Sequence, residues 1–173
     1  MKINKYMAAL VLGGTMFSGA VLAANNSVTT PVTATLTFDT PLSVTKDSDI
    51  NFGSLQAGMA NAYTISPAGA LTATTPAGIL FGTPVAGQLT IAGSTTQTIS
   101  IQVQNYQANG GVTLSDAMCN YNGGGATACD TAMPSQLAPG SGKILLLGVT
   151  ATTTSATPAG VATPSFDVVV TYS

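Results

Sequence analysis

The stretch GVATPSFDVVVTYS, Gly160 to Ser173, decides the fold. In an extended chain Phe166, Val168, Val170 and Tyr172 share one face, while Asp167 and Thr171 share the other. Period-two alternation rich in β-branched and aromatic residues marks a half-buried strand. Left to fray, this stretch would put Phe166 and Tyr172 into water. It is therefore expected to be a core element with a neighbour on each side. Where its second neighbour comes from is the functional question.

The same texture continues upstream. Lys143 to Ala151 is the most apolar run outside the N-terminus, with Leu145, Leu146 and Leu147 consecutive. A central strand, or one bent by a bulge, accounts for it. Gln97 to Val103 and Val85 to Ile91 read as strands joined by the turn Ala92-Gly93-Ser94-Thr95. Tyr63 and Ile65 alternate until Pro67-Ala68-Gly69 stops them, and Ile79 and Phe81 read as core anchors. Pro41 opens a short strand, Leu42 to Thr45, before a polar turn over Lys46 to Asp49. Ile50 and Phe52 then re-enter the core. After residue 23 no stretch of helical length carries a 3.6-residue apolar period. The expectation is an all-β sandwich of roughly eight to ten strands in one domain.

The N-terminus divides into two parts. Residues 1–23 read as a secretory signal: Lys2 and Lys5 precede the apolar run Met7 to Val21, and Val21-Leu22-Ala23 supplies a small residue for cleavage. No membrane insertion is expected once it is removed. Residues 24–39 form an extension in which Val32, Ala34, Leu36 and Phe38 alternate with Thr33, Thr35 and Thr37. That stretch is either the first strand of its own domain or a segment that fills a neighbour's. The sandwich itself is expected over 40–173.

Composition excludes several functions. The chain of 173 residues has 4 Lys+Arg and 6 Asp+Glu, with no His, Trp, Arg or Glu. The exported part keeps two lysines against six aspartates, a net charge near -4. No basic patch is available for nucleic acid or anionic lipid. Without His, Arg or Glu the usual acid–base and triad arrangements cannot be assembled, so no enzyme and no catalytic residue is expected. Asp47 and Asp49 lack the remaining spacing of a calcium loop, and no metal or cofactor is expected. Cys119 and Cys129, the two cysteines, bracket the Gly-rich NYNGGGATA. In an oxidising compartment such a pair is expected to close a disulfide that pins a loose hairpin or surface loop. Tyr106 and Tyr121 are the loop aromatics on which a sugar could rest.

Four stretches resemble the DUF4402 family of exported bacterial β domains: DTPLSVTKDSDINFGSL (Asp39 to Leu55), YTISPAG (Tyr63 to Gly69), AGQLTIAG (Ala86 to Gly93) and QTISI (Gln97 to Ile101). A second resemblance lies at the C-terminus. Subunits assembled by the chaperone–usher route carry a glycine fourteen residues from the end and a penultimate aromatic, and Gly160 and Tyr172 are similar in position. The cysteine pair departs from that pattern, lying mid-chain rather than bridging the first strand.

The second resemblance implies an immunoglobulin-like β-sandwich lacking its final strand, completed by a donated N-terminal strand. Gly160, Phe166, Val168, Val170 and Tyr172 would form the acceptor groove, and Val32, Ala34, Leu36 and Phe38 the donor strand. It implies a pilus or fimbrium subunit on the cell surface, with copies of itself, a periplasmic chaperone and an outer-membrane usher as partners. The other reading is a self-complete secreted β-sandwich, an adhesion or binding module, in which Val32 to Phe38 pairs in cis.

Overall fold

The computed structural model describes residues 29–173. The expected signal, 1–23, and the start of the extension lie outside the described residues. The chain divides into two units, one ending at Leu36 and one running Thr37–Ser173. Every strand among the described residues belongs to the second. In the first, residues 29–36 carry no strand.

Twelve strands follow in order: β1 Ser43–Ser48, β2 Ser54–Leu55, β3 Asn61–Ile65, β4 Leu71–Ala73, β5 Ile79–Phe81 and β6 Gly87–Ala92. Then come β7 Ile99–Gln107, β8 Thr113–Tyr121, β9 Thr127–Ala128, β10 Met133–Gln136, β11 Lys143–Thr153 and β12 Ser165–Tyr172. One 3-10 turn, Pro76–Gly78, is the helical content of the described residues. The strands form a seven-stranded sheet, a three-stranded sheet ordered β10-β7-β12, and the small pair β2-β5. The arrangement is a sandwich and not a barrel.

β11 organises the large sheet because its inward positions, Leu145, Leu147, Val149, Ala151 and Thr153, are all buried. β8 pairs along its length on one edge. On the other edge β6 pairs with Lys143 to Leu147, and β3 takes over from Val149 to Thr153. Gly148 sits at the handover, where an added Cβ would lie 2.3 Å from the Ile65 carbonyl oxygen. The β8 register shifts opposite this point, between Gly148 and Thr150. The apolar run was thus both central and bulged.

Facing β11 across the core is β7, whose Ile99, Ile101 and Val103 are fully buried. Alternation alone fixes that face, since the residues between them are only half-buried. β1 departs from expectation. It continues through Lys46 and Asp47 to Ser48, with a register shift before Ser48 against β6. Asp47 is not in a turn: its carboxylate accepts hydrogen bonds from Thr90 Oγ1 at 2.8 Å and Gln88 Nε2 at 3.2 Å across the ladder. Cross-strand pairing of this acceptor holds the polar residues in the strand.

Cys119 and Cys129 are bonded, with Cα atoms 5.8 Å apart. The bond does span the β8–β9 hairpin, but both sulfurs sit in the core cluster beside Ile101 and Leu145, not at the surface. β8 runs on through Tyr121 and β9 begins at Thr127, so only Asn122 to Ala126 between them are loop. Replacing both cysteines by alanine is expected to cost about 3 kcal/mol, and to lower the melting midpoint by roughly 10 °C in calorimetry.

Candidate functional site

The site begins with β12. Alternation turns Phe166, Val168 and Val170 toward the core, where all three pack half-buried against it. One edge of β12 is laddered to β7 from Ser165 to Tyr172. Among the described residues no strand pairs with its other edge. β1 is likewise an outer strand, paired only with β6. Two unpaired edges, one from each of the two larger sheets, therefore face a common gap.

That gap is a cleft of about 1430 Å³. Its floor is the inward face of β11, through Leu147, Val149, Ala151 and Thr153, with Gly87 and Leu89 of β6 beside it. The wall on one side is β1, and on the other Phe166 and Val168. Past the end of β1 at Ser48 and the start of β12 at Ser165, the lining continues through Phe52, Phe81 and Val161. Phe81 was expected as an anchor but is largely exposed there, because β5 pairs with two-residue β2 and no other described strand covers it.

The opposite end is shut. The Tyr172 hydroxyl donates to the Thr40 carbonyl and accepts from the Ser94 backbone N–H at 2.7 Å. Since Thr40 leads into β1 and Tyr172 ends β12, the two edge strands run in opposite directions from this junction.

The expected acceptor residues thus separate. Gly160, Phe166 and Val168 line the cleft. Val170 packs beside it into the core, and Tyr172 closes its end rather than lining it. Of the expected donor residues, Val32, Leu36 and Phe38 are 91%, 72% and 89% exposed, and Ala34 is exposed too. Residues 29–41 are in no strand, so the cis-paired first strand is not observed among the described residues. Sequence reasoning missed the floor. The alternation Leu147, Val149, Ala151, Thr153 was visible, but the three consecutive leucines before it masked the period.

The remaining polar clusters are structural. Tyr106 donates to an Asp130 carboxylate oxygen, which also accepts from the Ala117 N–H at 3.3 Å. Burial first, and that hydrogen bond second, push the Tyr106 phenol well above its usual pKa, so it stays a neutral donor. Burial raises Tyr121 as well, and its hydroxyl donates to Leu137 O at 3.1 Å. Neither tyrosine lies in a loop: Tyr106 is in β7 against Phe166, with ring centroids 5.8 Å apart, and Tyr121 is buried in β8. Tyr106 is half-buried and Tyr121 buried, where loop aromatics were expected. A smaller hollow of about 450 Å³ lies by the disulfide hairpin, between Tyr121, Thr127 and Met133. Among the described residues no group of three or more Asp or Cys side chains converges as metal ligands.

No curated protein matches the chain. A family profile does match, over residues 42–172, from the lead into β1 to the end of β12. It spans all three sheets and the whole cleft, and the chain therefore belongs to DUF4402, a domain of unknown function.

Proposed function

We propose that this chain is a structural subunit of a bacterial surface filament, polymerised by strand donation. The sandwich is immunoglobulin-like and one strand short. Val32, Ala34, Leu36 and Phe38 of one copy enter the cleft of the next and pair with the free edge of β12. The chain is exported through the periplasm, where a chaperone occupies the cleft until an outer-membrane usher exchanges it for the neighbour's arm. The role is mechanical, with no catalysis and no cofactor.

One observation carries this reading. An apolar cleft runs beneath an unpaired strand edge, in a chain that also holds an unpaired, exposed apolar segment. An unpaired edge beside exposed apolar side chains is an aggregation hazard that added strands remove, the recognition mode of β-augmentation. Dimensions agree: the floor from Leu147 to Thr153 and the arm from Val32 to Phe38 are each seven residues, roughly 23 Å when extended. Four inward side chains meet four. Burying the arm's four gives on the order of 4–8 kcal/mol before ordering costs, with Ala34 contributing least.

The test is the size of the exported protein on gels and columns. Strand donation predicts a ladder of multimers that survives SDS at room temperature and collapses on heating. A clean monomer under both conditions removes the reading and leaves a self-complete adhesion module.

A further inference from the structure

Building on that strand-donation reading, we propose that the hydrogen-bonded knot of Asp39, Thr40, Ser94 and Tyr172 is a seal. It keeps a subunit's arm out of its own cleft and leaves the end away from Tyr172 as the entrance, so that only a second copy completes the fold.

Ser94 is the centre of the knot. It is 1% exposed. Its Oγ donates to Asp39 Oδ2 at 2.8 Å and accepts from the N–H groups of Thr96 and Gln97 at 3.1 and 3.0 Å. Asp39 Oδ1 in turn accepts from the Thr40 N–H at 2.8 Å. Tyr172 completes it by bridging the Ser94 N–H and the Thr40 carbonyl. There is no slack: a Cβ on Gly93 would lie 2.5 Å from the Tyr172 hydroxyl and 3.1 Å from Leu42.

The place of the knot gives it a consequence. Asp39 and Thr40 are the base from which the arm departs, and they are fastened at the shut end of the cleft. To enter its own cleft, an arm would have to reverse at Asp39 and pass between Thr40 and Tyr172, which are joined. An arm from another copy has no such origin and meets the open mouth beside Phe166. In that approach Val32 and Ala34 would lead toward the shut end, and Phe38 would stay beside the lining residues Phe52, Phe81 and Val161. Donor and acceptor surfaces are then different faces of one molecule. Such heterologous contacts build open chains rather than closed dimers.

The experiment uses engineered cysteine pairs in the full exported chain, refolded from monomer and oxidised in air. In a chain carrying Leu36→Cys and Val168→Cys, the intact seal predicts cross-links between copies, seen as multimers on non-reducing gels. Adding Tyr172→Phe, which removes only the hydroxyl, or Asp39→Ala, should raise the intrachain cross-linked monomer roughly tenfold, as loss of one or two hydrogen bonds implies. Circular dichroism and the melting curve check that each variant is folded, and the two variants are read independently. If both stay cross-linked only between copies at the unaltered yield, the seal is wrong and strand donation stands. If the intact-seal chain cross-links only within itself, or not at all, the seal and the donation reading both fall.

Discussion

A chain lacking Asn25–Phe38 is expected to fold, to form no SDS-resistant ladder, and to regain stability when a peptide of residues 29–38 is added. Its sandwich, Thr37–Ser173 less two residues, holds every described strand and the described core cluster, so the deletion removes none of those core contacts. What it removes is the segment whose apolar side chains stand in solvent. At a hundredfold excess over its dissociation constant the peptide should add about 2.7 kcal/mol, a rise of roughly 8 °C in melting midpoint. A single change makes the same point without deletion. Leu36→Asp would bring an unpaired carboxylate into the apolar cleft, which costs several kcal/mol against the whole gross gain of the arm. Multimers should then vanish while the monomer melts unchanged. If either variant instead unfolds the monomer, and the unaltered chain forms no multimers, the segment acts within its own domain.

The second large effect lies in the floor of the cleft. Gly148→Ala is expected to destabilise the domain by at least about 3 kcal/mol and to lower its melting midpoint by roughly 10 °C or more. The added methyl would stand 2.3 Å from the Ile65 carbonyl oxygen and 2.8 Å from the Pro67 nitrogen. These are backbone atoms of the turn after β3, and no side chain can swing aside to relieve them. β3 must draw away from β11, loosening the pairs Val149–Ile65 and Thr150–Thr64 and the 2.9 Å hydrogen bond between the Thr64 and Thr150 hydroxyls. Because Val149, Ala151 and Thr153 floor the cleft, peptide affinity should fall together with stability. A melting midpoint within a few degrees of the unaltered protein would show that β3 gives way at little cost.

Local alternation carried most of the architecture. Ile99, Ile101 and Val103, and Phe166, Val168 and Val170, were assigned to inward faces from period alone, and they are there because a strand offers its side chains only two directions. The disulfide partners were legible too, as the chain has just two cysteines. Depth was not. Cys119 reads as a loop boundary beside a glycine cluster, yet pairing with β11 draws β8 through it into the core. Asp47 reads as a turn residue until the acceptors' partners on β6, far along the chain, are in place.

The sequence by itself settled what each strand can bury and how often; it could not settle which edges are left over. An edge is free only when every other segment has taken its place, which is a property of the whole set of pairings. The open side of β12, the floor beneath it and the knot at Tyr172 all arise from contacts between residues far apart in the chain. Period-two chemistry wrote the strands; tertiary pairing decided that β1 and β12 stand at the outer edges of their sheets.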